Sequence, residues 1–207
     1  MIIVHHLEHS RSQRVLWFLE ELGVDYEVRF YARDAVTNLA PPELKAVHPL
    51  GKSPVIEDGG VTVAESGAII DYLARKYGDG KYAPASNSRD YLAYSQWMHF
   101  AEGSAMTPFL LALYAGRLGE HAAPLMPRIQ SEIVNHLDYM EAALAGRDWF
   151  LGNEISAADF QLSFVAEIAG AQGLLADRPN LAGFVQRIHA RDGYRRALEK
   201  GGPYRFA

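Results

Sequence analysis

His48-Pro49-Leu50-Gly51-Lys52-Ser53-Pro54-Val55-Ile56, followed further on by Ala64-Glu65-Ser66-Gly67-Ala68-Ile69, is the stretch on which the fold turns. Pro54 has no N–H to give to a sheet ladder, so it belongs at the start of an edge strand. Two brief β-branched runs, Pro54-Val55-Ile56-Glu57 and Val61-Thr62-Val63, flank Asp58-Gly59-Gly60 and predict a hairpin. Glu65 and Ser66 then open a helix to Tyr77, with Ile69, Ile70, Leu73 and Tyr77 on one face. A helix start has unpaired N–H groups and the positive end of the dipole, which favour an anion. Ser66 therefore has two readings, ligand contact or helix cap.

Working outward, Ile2-Ile3-Val4 reads as a strand, Ser10 to Gly23 as a helix, Tyr26 to Tyr31 as a half-buried strand, and Ala40 to Val47 as a short helical stretch. The order β-α-β-α-β-β-α predicts a small sheet with helices packed on it. Gly78 to Ser88 is a turn-rich linker. Beyond it only helical periodicity remains, over residues 89–118, 121–145, 157–173 and 179–200. The expected organisation is an α/β domain at 1–80 and an all-helical domain at 88–207. Ser156-Ala157-Ala158-Asp159 matches a capping box ahead of an apolar helix.

Composition narrows the chemistry. The 207 residues are 49% hydrophobic and 22% charged, as expected of a chain that buries a real core. A net charge of −5 without a long Lys/Arg cluster argues against nucleic-acid binding. No apolar run approaches the ~20 residues of a membrane span, and the N-terminus has no signal-peptide pattern, so a cytoplasmic, membrane-free protein is expected. With no cysteine, any thiol chemistry must use a borrowed thiol. His5-His6-Leu7-Glu8-His9 matches a zinc pattern only in letters, because the motif needs a helix and these residues leave a strand; no metal is expected. Tyr91, Tyr94, Trp97, Met98 and Phe100 have the spacing of a helix core rather than of a base-stacking surface.

In this order, the strand followed by His9-Ser10-Arg11-Ser12-Gln13-Arg14, the two blocks around Pro54 and Glu65, and Phe150-Leu151-Gly152-Asn153-Glu154-Ile155-Ser156-Ala157-Ala158-Asp159 resemble the glutathione transferase superfamily, bacterial type, over essentially the whole chain. The resemblance implies a thioredoxin-like α/β N-terminal domain that binds glutathione and an all-α C-terminal domain. It implies a cis Ser53–Pro54 bond, with the Ser53 backbone paired to the cysteinyl part of glutathione, at a position where members usually carry an aliphatic residue. Ser66 would hold the γ-glutamyl carboxylate, Glu65 its ammonium and Lys52 the glycyl carboxylate. The family pairs into homodimers through the helix carrying Trp97 to Ser104, which would let Glu102 reach the glutathione ammonium in the partner subunit.

The implied function is a detoxifying transferase that activates glutathione as a thiolate for attack on a hydrophobic electrophile or a peroxide. Members stabilise the thiolate with tyrosine, serine or cysteine near the first strand. Cysteine is absent here and the first tyrosine, Tyr26, comes too late, which leaves Ser10, then Ser12, then backbone amides alone. Ser10 also opens an S-x-x-Q capping box with Gln13, so its hydroxyl has a structural claim on it. Other readings are disulfide reduction, dehalogenation or isomerisation on the same scaffold, and a non-catalytic interaction module. The electrophile is expected between the first loop, the helix near Met106, Phe109 and Tyr114, and the tail Pro203-Tyr204-Arg205-Phe206.

Overall fold

A computed structural model describes all 207 residues. Its sheet has the order β2-β1-β3-β4, formed by β1 (Ile2–Leu7), β2 (Tyr26–Tyr31), β3 (Val55–Asp58) and β4 (Val61–Ala64). β1 pairs parallel with β2 across the helix α1 (Ser12–Leu22) and antiparallel with β3. Gly59 and Gly60, with φ of 58° and 86°, close the β3–β4 hairpin. Two successive positive φ values require the pair of glycines there. A short α2 (Leu44–Val47) and α3 (Ser66–Tyr77) complete this α/β half, a thioredoxin-like domain, and an all-helical domain follows.

Helix α1 is the seam between the halves. Ser12 through Leu19 are all buried, and Trp17 and Phe18 pack against Phe160 at tilted angles, with ring centroids at 4.1 and 4.4 Å. Phe160 lies on α7 (Ala157–Ala171), the central helix of the second half, buried from Ala157 to Ala169. The capping box at its start is formed: Asp159 accepts bonds from the Phe150 N–H (2.9 Å), the Ser156 N–H (2.7 Å) and the Ser156 hydroxyl (2.8 Å). Burial pushes its carboxyl up to about 6, against the pull of the Phe150 and Ser156 donors.

Three helical expectations change. The stretch 89–118 is α4 (Asp90–Phe100), a π-helical segment (Ala101–Ala105) and α5 (Met106–Ala115), and a 3-10 segment (Gly116–Ala122) then leads to α6 (Met126–Ala143). Pro108 has no N–H for the Ser104 carbonyl, and the helix widens in the turn before it. The stretch 179–200 divides into α8 (Pro179–His189) and α9 (Asp192–Gly201), because Arg191 is extended (φ −77°, ψ 137°). The capping box expected at Ser10 is absent. Arg11 occupies the cap position, and the Gln13 N–H bonds the Ser10 main-chain oxygen at 3.1 Å instead of its hydroxyl.

Candidate functional site

One cleft of about 310 Å3 opens between the α/β half and α5, and Lys52, Ser53, Pro54, Glu65, Ser66 and Glu102 all line it. The Ser53–Pro54 bond is cis. The ladder that pairs Ile3 with Glu57, Val4 with Ile56 and His5 with Val55 ends at Pro54. There the Ser53 hydroxyl continues it, donating to the His5 carbonyl at 2.7 Å and accepting the Leu7 N–H at 3.1 Å. That bridging role accounts for a serine at this position. The main-chain N–H and C=O of Ser53, a residue that lines the cleft, make no hydrogen bond within the chain.

Glu65 precedes α3 in the left-handed region, with φ 69°. It is exposed on the cleft and its carboxylate has no hydrogen-bond partner in the chain. Ser66 is buried at the first position of α3, and no side chain caps that helix. The Ser66 oxygen accepts from Arg14 Nη2 at 2.7 Å and from the Gln161 side-chain amide at 3.4 Å. With both acceptor positions taken, its O–H is left to donate. The first N–H that α3 uses itself is that of Ile69, bonded to the Glu65 carbonyl, so the amides of Ser66, Gly67 and Ala68 remain for an anion.

Glu102 sits on the π-helical segment, and π-bulges cluster at functional sites. Arg11 Nε donates to both its oxygens, at 2.9 and 2.8 Å, and Arg14 Nη2 donates to Oε1. Arg14 is buried and also donates to the Gln161 carbonyl. Burial pulls the Arg14 guanidinium below its ordinary value, resisted by Glu102. Burial alone would raise the Glu102 carboxyl, but Arg14 and Arg11 outweigh it and hold it below the usual carboxylate range. The two arginines, spaced i, i+3 at the start of α1, belong to no sequence motif that would single them out. Glu102 is the counter-charge of both; it lines this cleft and also borders the groove between α3 and α4.

Arg11 lines the cleft, but its neighbours Ser10 and Ser12 do not and are buried in the chain. Ser10 is 6% exposed and Ser12 fully enclosed, with their hydroxyls 2.7 Å apart. The three N-terminal histidines diverge: His5 bonds Tyr31 and Glu57, His6 bonds Ser12 and Gly201, and His9 meets the Arg205 N–H. The expected electrophile wall is only partly exposed. Met106 and Phe109 are core residues, whereas Leu110 and Tyr114 from the same helix line the cleft. The tail is tied down, with the Tyr204 hydroxyl on Glu167 at 2.9 Å and Phe206 against Phe164 at 5.6 Å.

The chain matches the families described as "Glutathione S-transferase, N-terminal domain" over residues 1–75 and "Glutathione S-transferase, C-terminal domain" over residues 103–192. It is 37% identical to glutathione S-transferase 3 of Schizosaccharomyces pombe, over 97% of this chain and 88% of that protein. A glutathione S-transferase crystal structure from Actinobacillus pleuropneumoniae is 36% identical, with a TM-score of 0.88 over 97% of this chain and 93% of that one. A sphingomonad glutathione S-transferase, solved as its complex with glutathione, is 26% identical with a TM-score of 0.81, over 97% and 98% of the two chains.

Proposed function

The chain belongs to the glutathione S-transferase family, and from that premise we propose that its cleft binds glutathione and activates it as a thiolate for attack on a hydrophobic electrophile or a peroxide. The observation that carries this reading is the free peptide edge of Ser53 beside the unpaired amides of α3. A tripeptide with a mid-chain amide pair and an α-carboxylate matches that pairing. The Ser53 backbone takes the cysteinyl unit, Ser66 and the α3 amides the γ-glutamyl carboxylate, Glu65 the ammonium, and Lys52 the glycyl carboxylate. Ser10 is the hydroxyl assigned to the sulfur. The glutathione-binding unit is 1–80, and the helical unit, 88–207, supplies Leu110 and Tyr114 to the electrophile. The setting is cytoplasmic detoxification; the molecule has no helix long and apolar enough to cross a membrane.

Calorimetric titration with glutathione tests the reading, with the wild-type protein saturating at millimolar ligand or below. Ser66→Ala and Glu65→Ala weaken binding roughly tenfold to hundredfold, because a hydrogen bond to a charged group contributes ~1.5–3 kcal/mol. Full affinity in both variants would place the γ-glutamyl end elsewhere, and no binding by the wild type would favour a non-catalytic interaction module.

The same reading includes a homodimer, closed and two-fold. Its face draws on the stretch Trp97 to Ser104, of which Met98, His99, Glu102 and Gly103 line the groove between α3 and α4 while Trp97 packs into the core. The groove of α3 and α4 along Ala68, Tyr91, Ser95 and His99, with Leu92 75% exposed on α4, is the surface a second copy would cover. Sedimentation at micromolar concentration is expected to give twice the chain mass, and a stable monomer would end the dimer reading.

A further inference from the structure

We propose that the electrophile selected by this cleft carries a long unbranched alkyl chain, laid outward along Leu110, Leu111, Tyr114 and Leu118. The inference rests on the glutathione reading above and names the class of its second substrate.

The first observation is a surplus of apolar surface. Helix α5 runs Met106-Thr107-Pro108-Phe109-Leu110-Leu111-Ala112-Leu113-Tyr114-Ala115, without a charged residue on any face. A helix apolar all round is normally buried. Here only one side is: Met106, Pro108, Phe109 and Ala115 pack inward. On the other side Leu111 is 47% exposed and Tyr114 57%, and Leu118 of the 3-10 segment follows at 59%. The Gly116 backbone stays helical (φ −57°, ψ −24°), so the row continues from α5 into that segment. Thr107, Leu111, Tyr114 and Leu118 are spaced i, i+4, i+7 and i+11, which puts them on one face. The core gains nothing from leucines there, and a contiguous exposed apolar strip marks a contact surface.

The position of the row indicates what it contacts. Leu110 and Tyr114 line the cleft themselves, together with Leu50 of the loop after α2, 63% exposed. The polar lining, Ser53, Glu65, Ser66 and Glu102, is the part assigned to glutathione. Glu102 precedes Leu110 by eight residues, about 12 Å of helix, so charge and apolar surface are separated along this wall. From Leu110 to Leu118 the apolar row runs on for another eight residues, again about 12 Å. It is long, narrow and continuous with the cleft. That shape matches an alkyl chain whose reactive end sits inside, whereas a single flat ring would use only Leu50, Leu110 and Tyr114. The guanidinium of Arg117 lies 5.9 Å from the centroid of the Tyr114 ring and holds it by a cation–π contact. A second copy of the chain is assigned to the groove between α3 and α4, whose lining shares no residue with this row.

Unbranched α,β-unsaturated aldehydes are the probe class. The glutathione sulfur adds to the β-carbon and a C–S bond forms. The C=C electron pair moves onto the carbonyl as an enolate, and solvent protonates the α-carbon. No other reactant is consumed, and chain length varies without changing the reacting atoms.

Initial rates with glutathione and butenal, hexenal, octenal or decenal test the proposal. In the wild type kcat/KM is expected to climb about two- to fourfold per added methylene, the effect of partly to fully burying one CH2, and to level off once the chain outruns Leu118. The double variant Leu111→Gln/Leu118→Gln, changed at two exposed positions, is expected to lower the decenal-to-butenal ratio of kcat/KM by roughly tenfold. A flat wild-type series, no turnover of any enal by a protein that binds glutathione, or a variant that keeps the wild-type slope would overturn the chain site and leave the glutathione reading standing. A flat series in which the wild type, but not the variant, floats with phosphatidylcholine vesicles would also overturn it, because the row would then meet a bilayer. Absence of glutathione binding by calorimetry would overturn the glutathione reading and the chain site with it.

Discussion

Replacing Ser10 by alanine is expected to raise the pKa of the bound glutathione thiol by roughly one to two units, because a hydroxyl donated to a thiolate contributes ~1.5–3 kcal/mol and a pKa unit is ~1.4 kcal/mol. A free thiol titrates near about 8.5, so at neutral pH the loss carries over to turnover as a tenfold to hundredfold fall of roughly that size. Affinity for glutathione changes little, since Ser53, Ser66 and the α3 amides still hold the peptide. Burial separates Ser10, 6% exposed, from Ser12, which is fully enclosed and hydrogen-bonded to His6. Ser12→Ala is therefore expected to shift the pKa less. The measurement is a titration of thiolate absorbance in the wild type and the two variants. A shift in the Ser12 variant alone would move the role to Ser12, and no shift in either would leave the thiolate to backbone amides and the helix dipole.

Local patterns carried much of this architecture. The Gly59-Gly60 turn, the alternation of Tyr26 to Tyr31 and the Ser156–Asp159 box are each decided by residues adjacent in sequence, and each is read before any long-range contact is known. The residues quoted around Pro54 and Glu65 line one cleft because the hairpin and the start of α3 are consecutive elements. Elsewhere the deciding partner is distant. Arg14 meets Glu102 across 88 positions and Arg11 meets it across 91, and no helical periodicity tells a buried, paired arginine from a solvated one. His6 likewise owes its place to Gly201, 195 positions away. A local rule also failed at Ser10, whose spacing to Gln13 fits a cap but whose hydroxyl is engaged by Ser12.

The second large effect concerns Glu102. Glu102→Gln is expected to destabilise the fold by about 1–3 kcal/mol, the cost of leaving a buried donor without its partner, because Arg14 is buried while Glu102 itself is 30% exposed. Its counterpart Arg14 has a side chain only 1% exposed, with the Ser66 hydroxyl and the Gln161 carbonyl as its other partners. Its Nε is unpaired, so the guanidinium has no spare contact to absorb the loss. Arg11 suffers less, because its side chain is 25% exposed and stacks over Phe164 at 5.0 Å. The sign of the pH dependence follows from the depressed Glu102 carboxyl: the pair stabilises the fold above the ordinary carboxylate pKa and is lost as pH falls through the lower folded value. Urea unfolding of Glu102→Gln, Arg14→Met and the double variant closes the cycle. The double variant is expected to recover most of the loss, since it leaves no unpaired charge buried at position 14. Function would not recover with it. Arg14→Met removes the 2.7 Å donor that orients Ser66, so glutathione affinity is expected to fall by roughly tenfold in the single and the double variant alike. A double variant as unstable as Glu102→Gln alone would show that the carboxylate supports the π-helical turn itself, independently of Arg14. Unchanged affinity in Arg14→Met would show that Ser66 needs no orientation from beneath.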